Sequence, residues 1–227
     1  MTIRISIDGA CRRNGKPNCV ASGGVFIAWY STDGEMQLGT TSIAVHEKGS
    51  TNQRGEMLAL LQALKYLNAL DSNAPTEVQI ITDSEYLFNA MTKMWWVSWK
   101  ANNWIGSTGA QVKNNDLWEC IVDAYKACSR YDIVFYHIKG HCISFGKVTA
   151  GNWLEFDPSG KRLYLEACKK FNAQAPTKQA EFEAAQVLSE KNNGFKLPAE
   201  IFKDFVVSNT VVDAIATKEV EEADREI

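Results

Sequence analysis

Residues 53–70 read QRGEMLALLQALKYLNAL, and the fold class is decided here. Leu60, Leu61, Leu64 and Leu67 recur at helical spacing, which predicts a helix with one apolar stripe. Working back from it, residues 3–8 (IRISID) alternate apolar and polar, as a half-buried strand ending at Asp8 does. Gly9 and residues 12–18 read as a loop. Residues 22–30 and 37–46 read as two more strands, with Asp33-Gly34 between them as a hairpin signal. Working forward, Pro75 closes a linker and Val78–Thr82 is a short apolar strand leading into Asp83. Residues 84–100 are predicted helical with a break near Met94–Trp96. A helix follows over 115–129, with Asn114 or Asn115 as its N-cap, and a fifth strand over 133–138. Three strands, a helix, a strand, helices and a strand predict an α/β fold: a five-stranded mixed sheet flanked by helices.

Residues 143–206 break this rhythm. Turn signals at Asp157-Pro158-Ser159-Gly160, Ala175-Pro176 and Leu197-Pro198 separate helical stretches at 161–171, 178–192 and 199–205. A last, acidic helix is predicted over 209–225. The expected organisation is one domain made of 1–142 and 207–227, carrying a mostly helical insertion at 143–206.

The composition, 45% hydrophobic and 22% charged, is that of a soluble globular domain. No apolar run approaches the roughly 20 residues of a membrane helix, and the N-terminus carries no leader-like pattern. Cysteines at 11, 19, 120, 128, 142 and 168 include no Cys-x-x-Cys pair. Reduced thiols in a cytoplasmic protein are therefore expected. Residues 1–142 carry 13 basic and 13 acidic side chains, whereas residues 209–227 carry 2 and 6. A chain-wide basic signature for nucleic acid is absent, so any such contact must come from local patches.

Asp8 and Asp83 each follow a predicted strand, at the edge where open α/β sheets collect ligands. Glu56 falls in the first turn of the helix that starts after Asn52. Three carboxylates converging from separate segments would raise one another's pKa unless a cation sat among them. Magnesium, which takes oxygen ligands, is the natural occupant. Taken singly, each acid also reads as an ordinary solvated strand-end or helix-start residue.

Ile7-Asp8-Gly9-Ala10-Cys11, Thr51-Asn52-Gln53-Arg54-Gly55-Glu56, Thr82-Asp83-Ser84-Glu85-Tyr86 and Ile138-Lys139-Gly140-His141 follow in that order. Between them lie Trp95-x3-Trp99-Lys100-x4-Trp104 and Val112–Trp118. With these segments the chain resembles bacterial-type ribonuclease H. The resemblance implies a ribonuclease H-like fold and a nuclease that hydrolyses the RNA strand of RNA–DNA hybrids with two Mg2+ ions, or Mn2+ in their place. It implies that Asp8, Glu56 and Asp83 hold the metal, together with a fourth aspartate. Two residues compete for that place. Asp157 follows the histidine loop more closely, but Asp213 lies just inside a helix, four residues after Asn209, as in the family's last helix. Asp213 is the choice. The resemblance makes His141 a proton shuttle at the leaving 3′ oxygen. His46 and His137 are read as playing no catalytic part, His137 as a packing residue.

The same resemblance implies substrate contacts at Cys11 (through its backbone), Asn14, Asn52 and Glu85. Glu85 departs from the family's usual Gln, and an ionised carboxylate can only accept hydrogen bonds. Trp99, Lys100 and Trp104 match the segment that grips the DNA strand. Trp104 is expected to reach substrate, with at least one of its neighbours in the core. Lysines are sparse in this segment. Lys161, Arg162, Lys169, Lys170 and Lys178 in the insertion are therefore a candidate substitute surface for nucleic acid, or a solvated helical face. The insertion is also a candidate surface for a protein partner, and the chain is expected to be monomeric. A junction nuclease and a non-catalytic nucleic-acid-binding module on the same fold are the competing readings.

Overall fold

The computed structural model describes residues 2–14, 16, 18–30, 41–70, 76–141, 148–151 and 157–225. The expected Asp33-Gly34 turn, Pro75 and Cys142 lie outside them. Five strands form one sheet: β1 (Thr2–Arg12), β2 (Val20–Tyr30), β3 (Thr41–Lys48), β4 (Thr76–Thr82) and β5 (Tyr131–His137). Their order is β3-β2-β1-β4-β5. The β1–β2 and β2–β3 pairs are antiparallel, and the β1–β4 and β4–β5 pairs are parallel. This is the predicted mixed sheet. Among the described residues the α-helices are α1 (Asn52–Ala69), α2 (Glu85–Thr92), α3 (Trp95–Ala101), α4 (Asn115–Ala127), α5 (Lys161–Gln174), α6 (Gln179–Asn193) and α7 (Ala199–Arg225). Among the described residues no helix is long and apolar enough to cross a membrane.

Alternation along β1 sends side chains to two cores. Ile3, Ile5 and Ile7 face one side, where they pack with Leu60, Leu64 and Leu67 of α1 and Trp118 and Ile121 of α4. The other face, through Phe26, Ala28, Ile81 and Tyr136, packs with Leu163 of α5 and Phe202, Phe205 and Val211 of α7. Both helices that cross β2 do so at glycine. A Cβ on Gly23 would stand 2.6 Å from the Gly55 carbonyl oxygen of α1, and one on Gly24 2.6 Å from that of Val212 in α7. Consecutive strand residues point to opposite faces, so this one dipeptide admits both helices to close approach.

The break expected near Met94–Trp96 is a left-handed Met94 (φ 52) between α2 and α3. Asn114 does precede α4, but its side chain makes no cap bond. It donates to Gln53 Oε1 (3.1 Å) instead. One difference is larger. The two helices expected at 199–205 and 209–225 are a single helix of 27 residues, about 40 Å long. The β-branched run Val206-Val207 does not end it, because both residues are buried against the sheet and packing overrides their weak helix propensity. α7 therefore continues unbroken across the expected insertion boundary.

A half-buried polar cluster fastens α5 and α7 to the sheet. Asp204 of α7 accepts from Arg4 Nη1 (2.9 Å), Tyr30 OH (2.7 Å) and Tyr164 OH (2.5 Å). The Arg4 guanidinium also lies 4.0 Å from the Tyr30 ring centroid, and Arg4 Nε donates to Gln79 Oε1 (2.9 Å). Burial, with Asp204 alongside, holds both phenols above their ordinary range.

Candidate active site

Strand register builds the centre of the site. In the parallel β1–β4 pair Ile7 stands opposite Thr82, so the next residues, Asp8 and Asp83, come side by side at the C-terminal edge. Asp8 lies opposite Gly24 on β2, on the face that α7 covers, and is 7% exposed. Its Oδ1 accepts the Gly9 N–H (2.7 Å).

Glu56 approaches from α1. Thr51 caps that helix by accepting the Arg54 N–H (3.4 Å). The helix begins at Asn52, so Glu56 lies in its second turn rather than the first. Asn52 Nδ2 donates to Glu56 Oε1 (3.3 Å) and Ser84 Oγ to Glu56 Oε2 (2.5 Å). α7 brings Asp213 from the opposite face, and Asn209, one turn earlier, lies beside Asp83 and lowers its pKa.

The electrostatics record this convergence. Burial raises Asp8 well above the ordinary carboxylate range; Asp83, Asp213 and Glu56 add to the rise, and the Gly9 N–H opposes it. Burial raises Glu56 to about 7, with Asp83 adding and the Ser84 hydroxyl opposing. Asp83 is raised by burial and by Asp213, against Asn209 and the nearby His141. Asp157, the rival fourth aspartate, is occupied elsewhere. It accepts the Arg162 N–H (2.6 Å) at the start of α5 and a bond from Ser159. These bonds outweigh its partial burial and hold its pKa low.

His141 is exposed, in the left-handed region (φ 50), and lies near enough to Asp83 to lower the pKa of that carboxyl. The preceding Gly140 lies hard against Asp83: a Cβ there would overlap the carboxylate, 3.0 Å from its carbon. His137 ends β5 and is 6% exposed. Beyond packing, its Nε2 lies 3.2 Å from the Asp83 backbone carbonyl.

Among the described residues, no three His, Cys, Asp or Glu side chains close around a single preformed ion position. The donor set nevertheless suits a hard divalent cation. It is all oxygen, three of its carboxyls are held above their ordinary pKa by burial and each other, and Mg2+ needs only one or two carboxylates because it keeps several waters.

The model of the ribonuclease H family matches residues 2–153. The chain belongs to the ribonuclease H family. A ribonuclease H of Clostridium botulinum (strain Hall) is 30% identical over 168 residues, which cover 74% of this chain and 96% of that protein. One from Jannaschia sp. (strain CCS1) is 39% identical over 134 residues, covering 59% and 76%. The crystal structure of LC9-RNase H1, described as a type 1 RNase H with the type 2 active-site motif, aligns with a TM-score of 0.51 at 18% identity. It covers 92% of this chain and 84% of that one, a likeness of fold alone. Members of this family use divalent metal. The family match ends at residue 153, so α5, α6 and α7 lie beyond it.

Around this ribonuclease H centre the expected substrate residues are placed unevenly. Asn14 is exposed, and its Oδ1 accepts the Asn52 N–H (3.5 Å), so Asn14, Asn52 and Glu56 form one chain. Glu85 is exposed in the first turn of α2. Trp99 is half-buried, 5.5 Å from Trp118 and 6.0 Å from Trp95 between ring centroids. Lys100 is exposed and paired with Asp123 (3.1 Å). Trp104, expected to reach substrate, is 7% exposed and packs in the α1–α4 core. The cause is a return of the chain, in which Trp104 N–H donates to Trp99 O (2.7 Å) and Ile105 bridges to Gln111.

The cysteines bring a second correction. Cys11 and Cys19 form a disulfide, not two reduced thiols. It closes the loop that carries Asn14, because the antiparallel register ends at Arg12 opposite Val20 and leaves Cys19 beside Cys11. In the insertion, Lys170 pairs with Glu166 (2.8 Å) and Lys178 with Glu181 (2.6 Å), so the basic run over residues 161–178 is partly neutralised.

Sequence reasoning missed Ser84, Asn209 and Arg54 as site builders. Arg54 binds Glu47 (2.7 Å) and Asp116 (2.8 Å), tying β3 and α1 to the start of α4. All three sat inside or beside the motifs quoted above, which was the available signal.

Proposed function

We propose that this chain hydrolyses the RNA strand of RNA–DNA hybrids at the Asp8–Glu56–Asp83–Asp213 centre, with two Mg2+ ions as its working metal. The observation that carries this reading is the convergence of those carboxylates, from within β1, from just past the end of β4 and from two helices, in a chain of the ribonuclease H family. The four acids would hold the ions. When bound, these supply Lewis-acid stabilisation of charge at the scissile phosphate. Ser84 orients Glu56 through the hydrogen bond described, and Asn209 lies beside Asp83 and favours its ionised form. His141, exposed beside Asp83, carries a proton to the leaving 3′ oxygen. Asn14 and Asn52 sit where the 2′-hydroxyl that distinguishes RNA from DNA would be read through the minor groove. Trp99 and Lys100 meet the DNA strand; Trp104 supports them from below.

The test is cleavage of a labelled RNA–DNA hybrid in Mg2+, beside single-stranded RNA, duplex RNA and duplex DNA. Cutting confined to the hybrid and abolished by Asp83→Asn is the expected result. A folded protein that leaves the hybrid intact in both Mg2+ and Mn2+ would overturn the reading.

A further inference from the structure

β5 is the edge strand of the sheet: its last residue, His137, stands in register with Thr82 of β4, and on its outer side no further strand lies among the described residues. Asn193, the last residue of α6, supplies the missing partner. His137 N–H donates to Asn193 Oδ1 (2.8 Å), and Asn193 Nδ2 donates to His137 O (2.8 Å). One side-chain amide thus reproduces the paired N–H and C=O of an antiparallel neighbour. Ser189, one turn earlier, steadies it through bonds from Asn193 Nδ2 to its carbonyl (2.8 Å) and hydroxyl (3.0 Å). The adjacent Asn192 takes the ring. Its Nδ2 lies 2.8 Å from His137 Nδ1, while His137 Nε2 lies 3.2 Å from the Asp83 carbonyl.

These contacts specify one form of the ring. A carbonyl can only accept, so Nε2 carries the proton and donates to Asp83. Nδ1 is then an acceptor and receives the Asn192 amide. Both ring nitrogens are satisfied in a neutral imidazole that cannot rotate without breaking two bonds. Phe88 of α2 packs on the ring at 5.6 Å between centroids. Three residues further on, Gly140 presses on the Asp83 carboxylate. α6 therefore grips both the backbone of Asp83 and the root of the loop that carries His141.

We propose that Asn192 and Asn193 are positioning residues for the reaction: through His137 they hold Asp83 and the His141 loop in working geometry. The helices beyond the family match thereby complete the active site as well as covering the sheet. The inference rests on the reading of Asp83 as a metal-holding residue.

The experiment compares the full chain with Asn192→Ala, Asn193→Ala, His137→Phe and His137→Gln, with Asp83→Asn as control. In the metal-free protein, 15N shifts of the His137 ring should report a proton on Nε2 and an accepting Nδ1, a signature that Asn192→Ala shifts. Mg2+ half-saturation, read by calorimetry at a temperature where every variant is folded, should weaken about 10–100-fold in Asn193→Ala and His137→Phe, as for other outer-shell partners of metal ligands. kcat should fall in step, with KM for hybrid within about twofold of the parent. His137→Gln, which keeps a donor towards the Asp83 carbonyl, should recover much of both. Parent-like Mg2+ binding, kcat and ring shifts in folded Asn192→Ala, Asn193→Ala and His137→Phe would overturn the proposal, even if their thermal stability falls. If Asn193→Ala does not fold, Asn192→Ala and the His137 pair decide. Parent-like Mg2+ binding and cleavage in Asp83→Asn would overturn the metal-site reading itself; loss in that control alone, with the other variants unaffected, sinks only the positioning role.

Discussion

The hydroxyl of Ser84 donates to Glu56 Oε2 over 2.5 Å, linking the start of α2 to the carboxylate that α1 delivers. The bond favours the ionised carboxylate and works against burial, which takes Glu56 to about 7. Ser84→Ala should therefore push Glu56 higher still. The expected outcome is an alkaline shift of the acidic limb of the kcat/KM profile, with a weaker response to Mg2+ near neutral pH. An unmoved limb would show that the hydroxyl contributes nothing to the ionisation of Glu56.

The same shift fixes the pH dependence of stability in the metal-free protein. Glu56 binds its proton more tightly folded than unfolded, so the folded state holds more protons between about pH 4.5 and 7. Its contribution is fully present below that window and is lost as pH rises through it. Asp8 and Asp83, raised as well, act in the same direction. Metal-free protein should be more stable near pH 5.5 than near pH 8, with Glu56 alone worth on the order of 2–3 kcal/mol. Mg2+ should remove most of the difference. Denaturant titrations with and without Mg2+ at the two pH values measure it.

Asp213 and Asp157 make opposite predictions. Asp213 acts on Asp8 and Asp83, whereas Asp157 serves the start of α5. Asp213→Asn should reduce hybrid cleavage more than about 100-fold, beyond the loss typical of an outer-shell group. Asp157→Asn should leave turnover within about twofold and cost roughly 1 kcal/mol of stability as a lost helix-start contact. Single-turnover cleavage and thermal unfolding of the two variants settle which aspartate belongs to the site.

Gly140→Ala should be costly for its size. The added methyl meets the Asp83 carboxylate, so either the carboxylate or the His141 loop must move. A kcat loss of at least about tenfold is expected, with a stability cost of about 1–3 kcal/mol. Parent-like kcat would mean that the loop relaxes without disturbing Asp83.

The cluster around Asp204 offers a test away from the chemistry. Asp204→Leu leaves the half-buried Arg4 without its counter-charge and strips two phenols of their acceptor. Removing one partner of such a group costs about 3–5 kcal/mol, or roughly 10 °C in Tm for a chain of this size. Tyr164→Phe should cost about 1 kcal/mol. Differential scanning calorimetry distinguishes the two.

The legible part of this protein was its local part. Asp8, Glu56 and Asp83 stood out because strand and helix patterns are read from neighbours in sequence, and the parallel register then brings the two aspartates together; that β1 runs on past Asp8 to Arg12 depends on its pairing with β2. Trp104 was misjudged because helical spacing at Trp95 and Trp99 says nothing of the return at Ile105 that tucks the next tryptophan inward. The Cys11–Cys19 bond depends on where the β1–β2 ladder ends, a property of two strands jointly. The unbroken α7 was hidden by Val206 and Val207, whose propensity argues against helix while their burial enforces it. His137 was taken for packing alone, since nothing near it in the chain signals Asn192, Asn193 or the Asp83 carbonyl.

The single rod of α7 has a consequence for how the enzyme comes into being. Asp8, Glu56 and Asp83 leave the ribosome well before Asp213, which shares its helix with Asp204, the anchor of the second core. At roughly 5–20 residues per second, synthesis from Asp83 to Asp213 takes on the order of ten seconds. During that interval the nascent chain displays three carboxylates without the fourth and a sheet with one bare face. If Asp213 is the fourth metal-holding residue proposed above, catalytic competence and completion of the second core arrive together, on one helix.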